Sequence, residues 1–259
     1  MDKNHLKHQH LDETLSRLAR DLESFDDALN AYVAEVDGQG LSLEIAHPSS
    51  WRIPEGSEHR RSAGSIEEQF RAEVDRILTQ DREEEARLAR RIEFARLRFD
   101  RALERHDLTA EDLDGRTPVR PREDATPSAE EFAFPEEVVA RWDELHALRT
   151  ELVERNLYLV LINVERYSHS RVSRMDLAQE GSSALFRAVD GFDWRRGLLF
   201  RTYAVHWLNQ AFRSLLYNFG NTVRVPVYLQ KAMKHVNEAI DRLGGGSATV
   251  DEIASEADL

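Results

Sequence analysis

An all-α fold is what this 259-residue sequence predicts, and three observations carry the prediction. Gly (12) and Pro (7) are scarce, and runs of Leu, Ala, Arg and Glu, all strong helix formers, fill their place. Apolar side chains recur at steps of three and four along most of the chain, the repeat that lines one face of a helix. No segment alternates convincingly with the period of two that a half-buried strand requires.

The elements follow in order. Leu11, Leu15, Leu18, Leu22, Phe25 and Leu29 predict one amphipathic helix over 11–36. Residues 37–63 scatter Gly, Pro and Ser without periodicity and read as a flexible linker. Ser65 and Glu68 have capping-box spacing and open a helix, and an Arg/Glu-rich helix runs from Arg82 to His106. Residues 107–127 are polar, hold three prolines and read as a loop. Ser128 and Glu131 form a second capping box. From Pro135 to about Tyr167 a long helix is sustained by Val138, Val139, Trp142, Leu145, Leu148, Leu152, Leu157, Val160 and Leu161. A shorter helix starts at Ser173 and stops at Gly191; another runs from Leu199 to Asn218 and ends at Gly220. Pro226 pre-sets the first turn of the next, which continues to Leu243. After a break at 244–246, Thr249 and Glu252 begin a last helix.

Composition removes several function classes. Without cysteine there is no disulfide, thiolate metal site or cysteine nucleophile, and a reducing cytoplasm is the expected location. Residues 1–10 are polar and lack a secretory apolar core, and no run approaches the roughly 20 apolar residues a membrane span needs. No HExxH, P-loop or nucleotide-binding glycine signature is present, so no enzyme, cofactor or metal is expected. His5, His8 and His10 have metal-ligand chemistry, but a solvated tail is the commoner outcome of such a cluster.

The net charge of −13 conceals a polar arrangement. Residues 152–235 carry twelve Lys/Arg against six Asp/Glu, and 194–235 hold seven bases and no acid. Residues 236–259 carry six acids and one base, and the first 151 residues hold the rest of the negative charge. One basic segment between acidic flanks is the pattern of a nucleic-acid face.

Within that segment, Phe200, Ala204, Leu208, Ala211, Phe212 and Leu215 fall on one side of a helix and form a candidate core face. Tyr203, Trp207, Gln210, Ser214 and Tyr217 fall on another, beside His206 and Arg213. An aromatic row at helical spacing is most often core. Rings interleaved with amides and cations, in a stretch without acids, fit single-strand binding instead, where bases stack on rings and cations follow phosphates. A base–ring stack is worth about 1–3 kcal/mol, comparable with the cost of unstacking one base step.

At these residues the chain resembles a known family. The markers are Leu152–Asn156 (LVERN), Asp176–Gly181 (DLAQEG), Ala188–Asp190 (AVD), Phe192, Arg195–Gly197 (RRG), Phe200, Thr202–Ala204 (TYA), Trp207, Gln210 and Arg224–Val227 (RVPV). In this order and without gaps over 152–229, they resemble region 2 of sigma-70-type bacterial sigma factors and the start of region 3. Residues 66–106 and 136–151 are similar to region 1.2 and the lead-in to region 2.

The resemblance implies a region 2-type helical bundle with a helical N-terminal extension. Its divisions are an N-terminal segment (1–36), the linker (37–64), region 1.2-like helices with a variable loop (65–135), region 2 (136–222) and the start of region 3 (223–259). It implies two partners: the coiled coil of the largest (β′) subunit of core RNA polymerase, and the non-template strand of the promoter −10 element. An anti-sigma factor is a third that the family allows. Asp176, Gln179 and Glu180 would bind core, with Leu177 packing beside them. Trp207 would replace a base at the upstream fork, and Tyr203 would stack on a flipped adenine in a pocket built by Phe192, Asp193 and Arg196. Asn156 would help form a pocket for the last thymine. Gln210 would face the first base pair, with Thr202 and His206 in the same interface, and Arg195, Arg201, Arg213 and Arg224 would meet phosphates or position the duplex.

The chain departs from the family at several points. His206 stands where a second wedge tryptophan is usual, Leu198 replaces an aromatic, Asn209 a basic residue and Arg213 a small hydroxyl. The extended −10 activity is not carried to Tyr228 and Lys231, whose types differ. No helix-turn-helix for the −35 element precedes Leu259, as expected of a fragment or of a short form. The alternative role is an interaction protein that occupies core polymerase without opening promoters.

Overall fold

The computed structural model describes residues 5–54, 64–109, 134–167, 169–219, 225–244 and 248–257, so the capping box at Ser128, the Gly220 stop and Arg224 lie outside the described residues. Those described are overwhelmingly helical, as the composition predicts.

The single helix expected over 11–36 is two, α1 (His8–Leu18) and α2 (Phe25–Gly38). The Asp21 carboxylate accepts the Ser24 hydroxyl at 2.6 Å and the Glu23 N–H at 3.2 Å, a local turn that competes with helix continuation. Leu22, counted in the apolar stripe, is exposed there.

The described part of the expected linker, residues 37–54, is structured. Ser42–Leu43 (β2) pairs in parallel with His5–Leu6 (β1), and a 3-10 turn at Pro48–Ser50 leads Trp51 into the core. The Trp51 indole donates to Glu154 at 2.9 Å, and residues 51–53 exchange backbone hydrogen bonds with 76–78. Strands of two residues are too short for alternation to show in a sequence.

Helix α3 (Ile66–Asp75) begins at the Ser65–Glu68 capping box, and α4 (Arg82–Arg105) at an equivalent box made by Asp81 and Glu84. The long helix expected from Pro135 divides into α5 (Glu136–Glu154) and α6 (Leu157–Arg166). At the joint, Asn156 turns its side-chain amide back on the Leu152 carbonyl at 2.9 Å, and the chain bends. Helix α7 (Arg174–Gly191) starts at Ser173, whose hydroxyl accepts the Met175 N–H, and is followed by α8 (Phe200–Phe219). Helices α9 (Val227–Arg242) and α10 (Val250–Glu256) follow, the last opened by the Thr249–Glu252 box. Among the described residues, no helix is long and apolar enough to cross a membrane.

Helix α4 packs most extensively against α5, and α7 against α8; α1 and α2 lie on α4, and α6 joins α7 to α8. One core results, with Leu11, Leu15 and Phe25 in the same cluster as Phe94, Leu177, Phe200 and Phe212. The N-terminal helices are therefore part of the bundle.

A buried ionic network ties them in. Arg98 of α4 is 1% exposed. It donates to Asp37 at 2.7 Å, Glu144 at 3.0 Å and the Leu41 carbonyl at 2.6 Å. Arg141 donates to Glu144 at 2.9 Å, and Glu144 also accepts the Leu43 N–H at 2.8 Å. Burial pushes the Glu144 carboxyl above its ordinary range, and the two guanidinium groups only partly offset this.

Helix α8 has its cap supplied from elsewhere. The buried Glu85 carboxylate of α4 accepts the Phe200 N–H at 2.6 Å, satisfying a first-turn donor. Burial raises the Glu85 pKa, against the opposing pull of that N–H and of Arg201.

Two predictions test these contacts. Replacing Arg98 with Met takes from Asp37 and Glu144 the buried cation they share, leaving only Arg105 and Arg141 beside them, and should lower stability by about 3–5 kcal/mol, read as a shift in the urea midpoint. A loss no greater than the ~1 kcal/mol of an exposed pair would contradict the network's role. For Glu85 the sign follows from its raised pKa: its favourable contribution is complete below the unfolded value and lost as pH rises through the folded one. Glu85→Gln keeps a carbonyl acceptor without the charge, so its melting temperature should match or exceed the parent's at pH 7, with the advantage shrinking towards acid. A variant disadvantage at pH 7 that disappears in acid would show the opposite sign.

Candidate nucleic-acid interface

The surface begins where α7 ends. A Cβ on Gly191 would lie 2.6 Å from the Tyr203 hydroxyl, so a glycine there lets the ring lie against the helix end. The chain then makes a 3-10 turn at Trp194–Arg196 and reverses at Gly197, whose φ of +66° is the left-handed conformation that glycine adopts without strain. Arg82 of α4 donates to the Gly197 carbonyl at 2.9 Å, and α8 starts three residues later on Glu85.

Helix α8 buries Phe200, Ala204, Leu208, Ala211 and Phe212, with Leu215 packed at the margin, which is the core face the periodicity predicts. The opposite side stays in solvent: Arg201, Thr202, His206, Gln210, Arg213 and Ser214 are exposed. Tyr203 and Trp207 lie between the two faces, half-buried, with ring centres 6.3 Å apart in an edge-on arrangement. Phe192 packs against Phe200 at 5.3 Å and Tyr203 at 5.9 Å, so its ring supports the Tyr203 ring from behind. His206, Gln210, Arg213, Ser214 and Tyr217 line an open groove of about 600 Å³, closed on its far side by Lys231 of α9. Two flat rings, an amide and three basic side chains on one accessible strip can stack bases and meet phosphates.

The other expected residues fall differently. Asn156 is 3% exposed, but it borders a recess of about 180 Å³ with Glu85, Tyr158, Leu199 and Arg201. Phe192 and Asp193 line a recess of about 110 Å³ facing Glu93 and Arg96, and neither Tyr203 nor Arg196 borders it. Arg196 is 74% exposed and pairs with Asp193 at 3.4 Å.

Arg195, expected at phosphate, has its guanidinium held at 2.6 Å by both Asp26 and Glu93 and lies over the rings of Phe25 and Trp194.

On α7, Asp176 and Gln179 are exposed, and Glu180 pairs with Arg187 at 2.8 Å. Leu177, expected to pack beside them, is fully buried beneath that side of the helix. The residues that sequence reasoning missed are Glu85, Glu93, Phe25 and Asp26. Their partners lie about a hundred residues or more away, and nothing local marks them.

Residues 152–217 match the family described as sigma-70 region 2. The chain is similar to the RNA polymerase principal sigma factor HrdD of Streptomyces coelicolor, at 36% identity over 124 residues, covering 47% of this chain and 37% of the relative. It is similar at 34% identity, with the same coverage, to the protein of that name in Streptomyces viridifaciens. The matched stretch thus spans little more than a third of these relatives' length. Residues 152–217 of the chain are thus a sigma-70 region 2.

Proposed function

We propose that the chain acts as a sigma factor: it binds core RNA polymerase through the exposed side of α7 and opens promoter DNA by capturing the non-template strand of the −10 element on α8. The observation that carries this reading is the division of α8 into a buried apolar face and a solvent-facing row of amide and cation, with two half-buried rings at the border between them. A helix held only for packing has no use for Gln210, His206 and Arg213 beside Tyr203 and Trp207.

In this reading Trp207 takes the place of a base at the upstream fork, and Tyr203, backed by Phe192, stacks on the flipped adenine with Asp193 and Arg196 at its edge. Stacking compensates for the lost base pair, so opening needs no motor. The recess bordered by Asn156, Glu85 and Arg201 receives the last thymine, with the Asn156 carbonyl side as its polar wall. Gln210 reads the first base pair through its amide, and Arg201 and Arg213 follow phosphates. His206 gives a smaller stacking surface than a second tryptophan, which favours opening that steepens with temperature. Core docking uses Asp176, Gln179 and Glu180 on the rigid base set by Leu177. The chain performs no chemistry of its own in this scheme, and its place of action is the cytoplasm.

Core polymerase mixed with this chain should make thymines of a −10-containing fork reactive to permanganate. Core binding without reactivity would favour a chain that occupies polymerase and blocks initiation. Tyr203→Ala and Trp207→Ala should each reduce opening by roughly tenfold or more, the loss of one stack, while pull-down of core is unchanged. Gln179→Ala combined with Glu180→Ala should reverse the pattern, with core affinity falling first. Equal loss of both activities in all variants would indicate a packing defect instead.

A further inference from the structure

The 193–197 turn carries Asp193 and Arg196, two residues placed at the flipped base, yet its firmest anchors come from helices outside the region 2 match. Phe25 of α2 is fully buried and meets the Trp194 ring edge-on at 5.3 Å. The Arg195 guanidinium lies 4.8 Å from the centre of the Phe25 ring and 5.0 Å from that of Trp194, and pairs with Asp26 and Glu93 at 2.6 Å each. Glu93 also accepts the Trp194 indole N–H at 2.8 Å, and Arg90 stacks on the same ring at 5.3 Å.

These contacts grip the turn from its inner side. A mask would cover the DNA-facing side, but Arg196 remains 74% exposed and Arg201 and Thr202 stay in solvent. We infer that Phe25 and Asp26 are positioning residues for base selection: α2 holds Arg195 and Trp194 so that Asp193 and Arg196 keep a fixed place on the turn that leads into α8. The inference rests on the strand-capture reading above. It gives the acidic N-terminal helix a part in reading DNA that it never touches. Holding the turn before the strand arrives removes an ordering cost from binding.

The test uses the full chain and single-stranded oligonucleotides bearing adenine, or an abasic residue, at the second position of a −10 hexamer. Binding is measured by anisotropy. Asp26 is 77% exposed, so Asp26→Asn removes the pair without disturbing the core. Preference for adenine over the abasic strand should fall roughly two- to fivefold, and Asp26→Glu should restore it. Phe25→Leu fills the space without a ring and should cost roughly five- to tenfold in the same preference, with faster amide exchange over 194–199 and unchanged exchange in the middle of α8. Tyr203→Ala separates the two claims. If it abolishes the preference while Asp26→Asn and Phe25→Leu leave it intact, the positioning role is wrong. If Tyr203→Ala has no effect, strand capture itself fails and the positioning role fails with it.

Discussion

The arrangement depends on how one helix is rotated. Helix α8 must bury Phe200, Ala204, Leu208 and Phe212 while leaving Gln210 and Arg213 in solvent, and a rotation of about 180° would exchange the faces. The carboxylate of Glu85 settles where the helix starts by accepting the Phe200 N–H from a position buried between α4 and α8. A carboxylate so placed is costly to ionise, as its raised pKa records, and its site is retained because the first turn of α8 has a donor to satisfy.

Helix α4 is the common support. It supplies Glu85 to α8, Arg82 and Glu93 to the preceding turn, Arg91 to Asp12 of α1, and Arg98 to the buried network with α2, β2 and α5. The negative charge of the first 151 residues is thus partly consumed within the fold, against arginines of α4 and the turn. Arg201, Arg213 and Lys231 form no ion pair among the described residues, and they border the proposed strand path.

What was legible in the sequence follows from range. The two faces of α8 could be read because helical periodicity is local, and the capping boxes at Ser65 and Thr249 because each partner lies three residues away. The break between α1 and α2 was hidden by a continuing apolar repeat, which Asp21 and Ser24 interrupt through side-chain bonds that the repeat does not register. Residues 41–54 looked like linker because Leu43 and Trp51 are buried singly, by tertiary contacts to α5, without any period of their own. The partners of Arg195, Asp26 and Glu93, lie 169 and 102 residues away, beyond the reach of any local pattern.

The central claim is physical: strand bases exchange stacking on one another for stacking on the rings of α8. Photo-crosslinking measures that contact at its shortest range. A single-stranded −10 oligonucleotide with 5-iodouracil substituted in turn at each thymine, bound to the chain together with core polymerase, should give adducts that map by mass spectrometry to Tyr203, Trp207 and their immediate neighbours on α8. Adducts confined to aromatic residues away from that helix, such as Trp142 or Tyr228, would contradict the account.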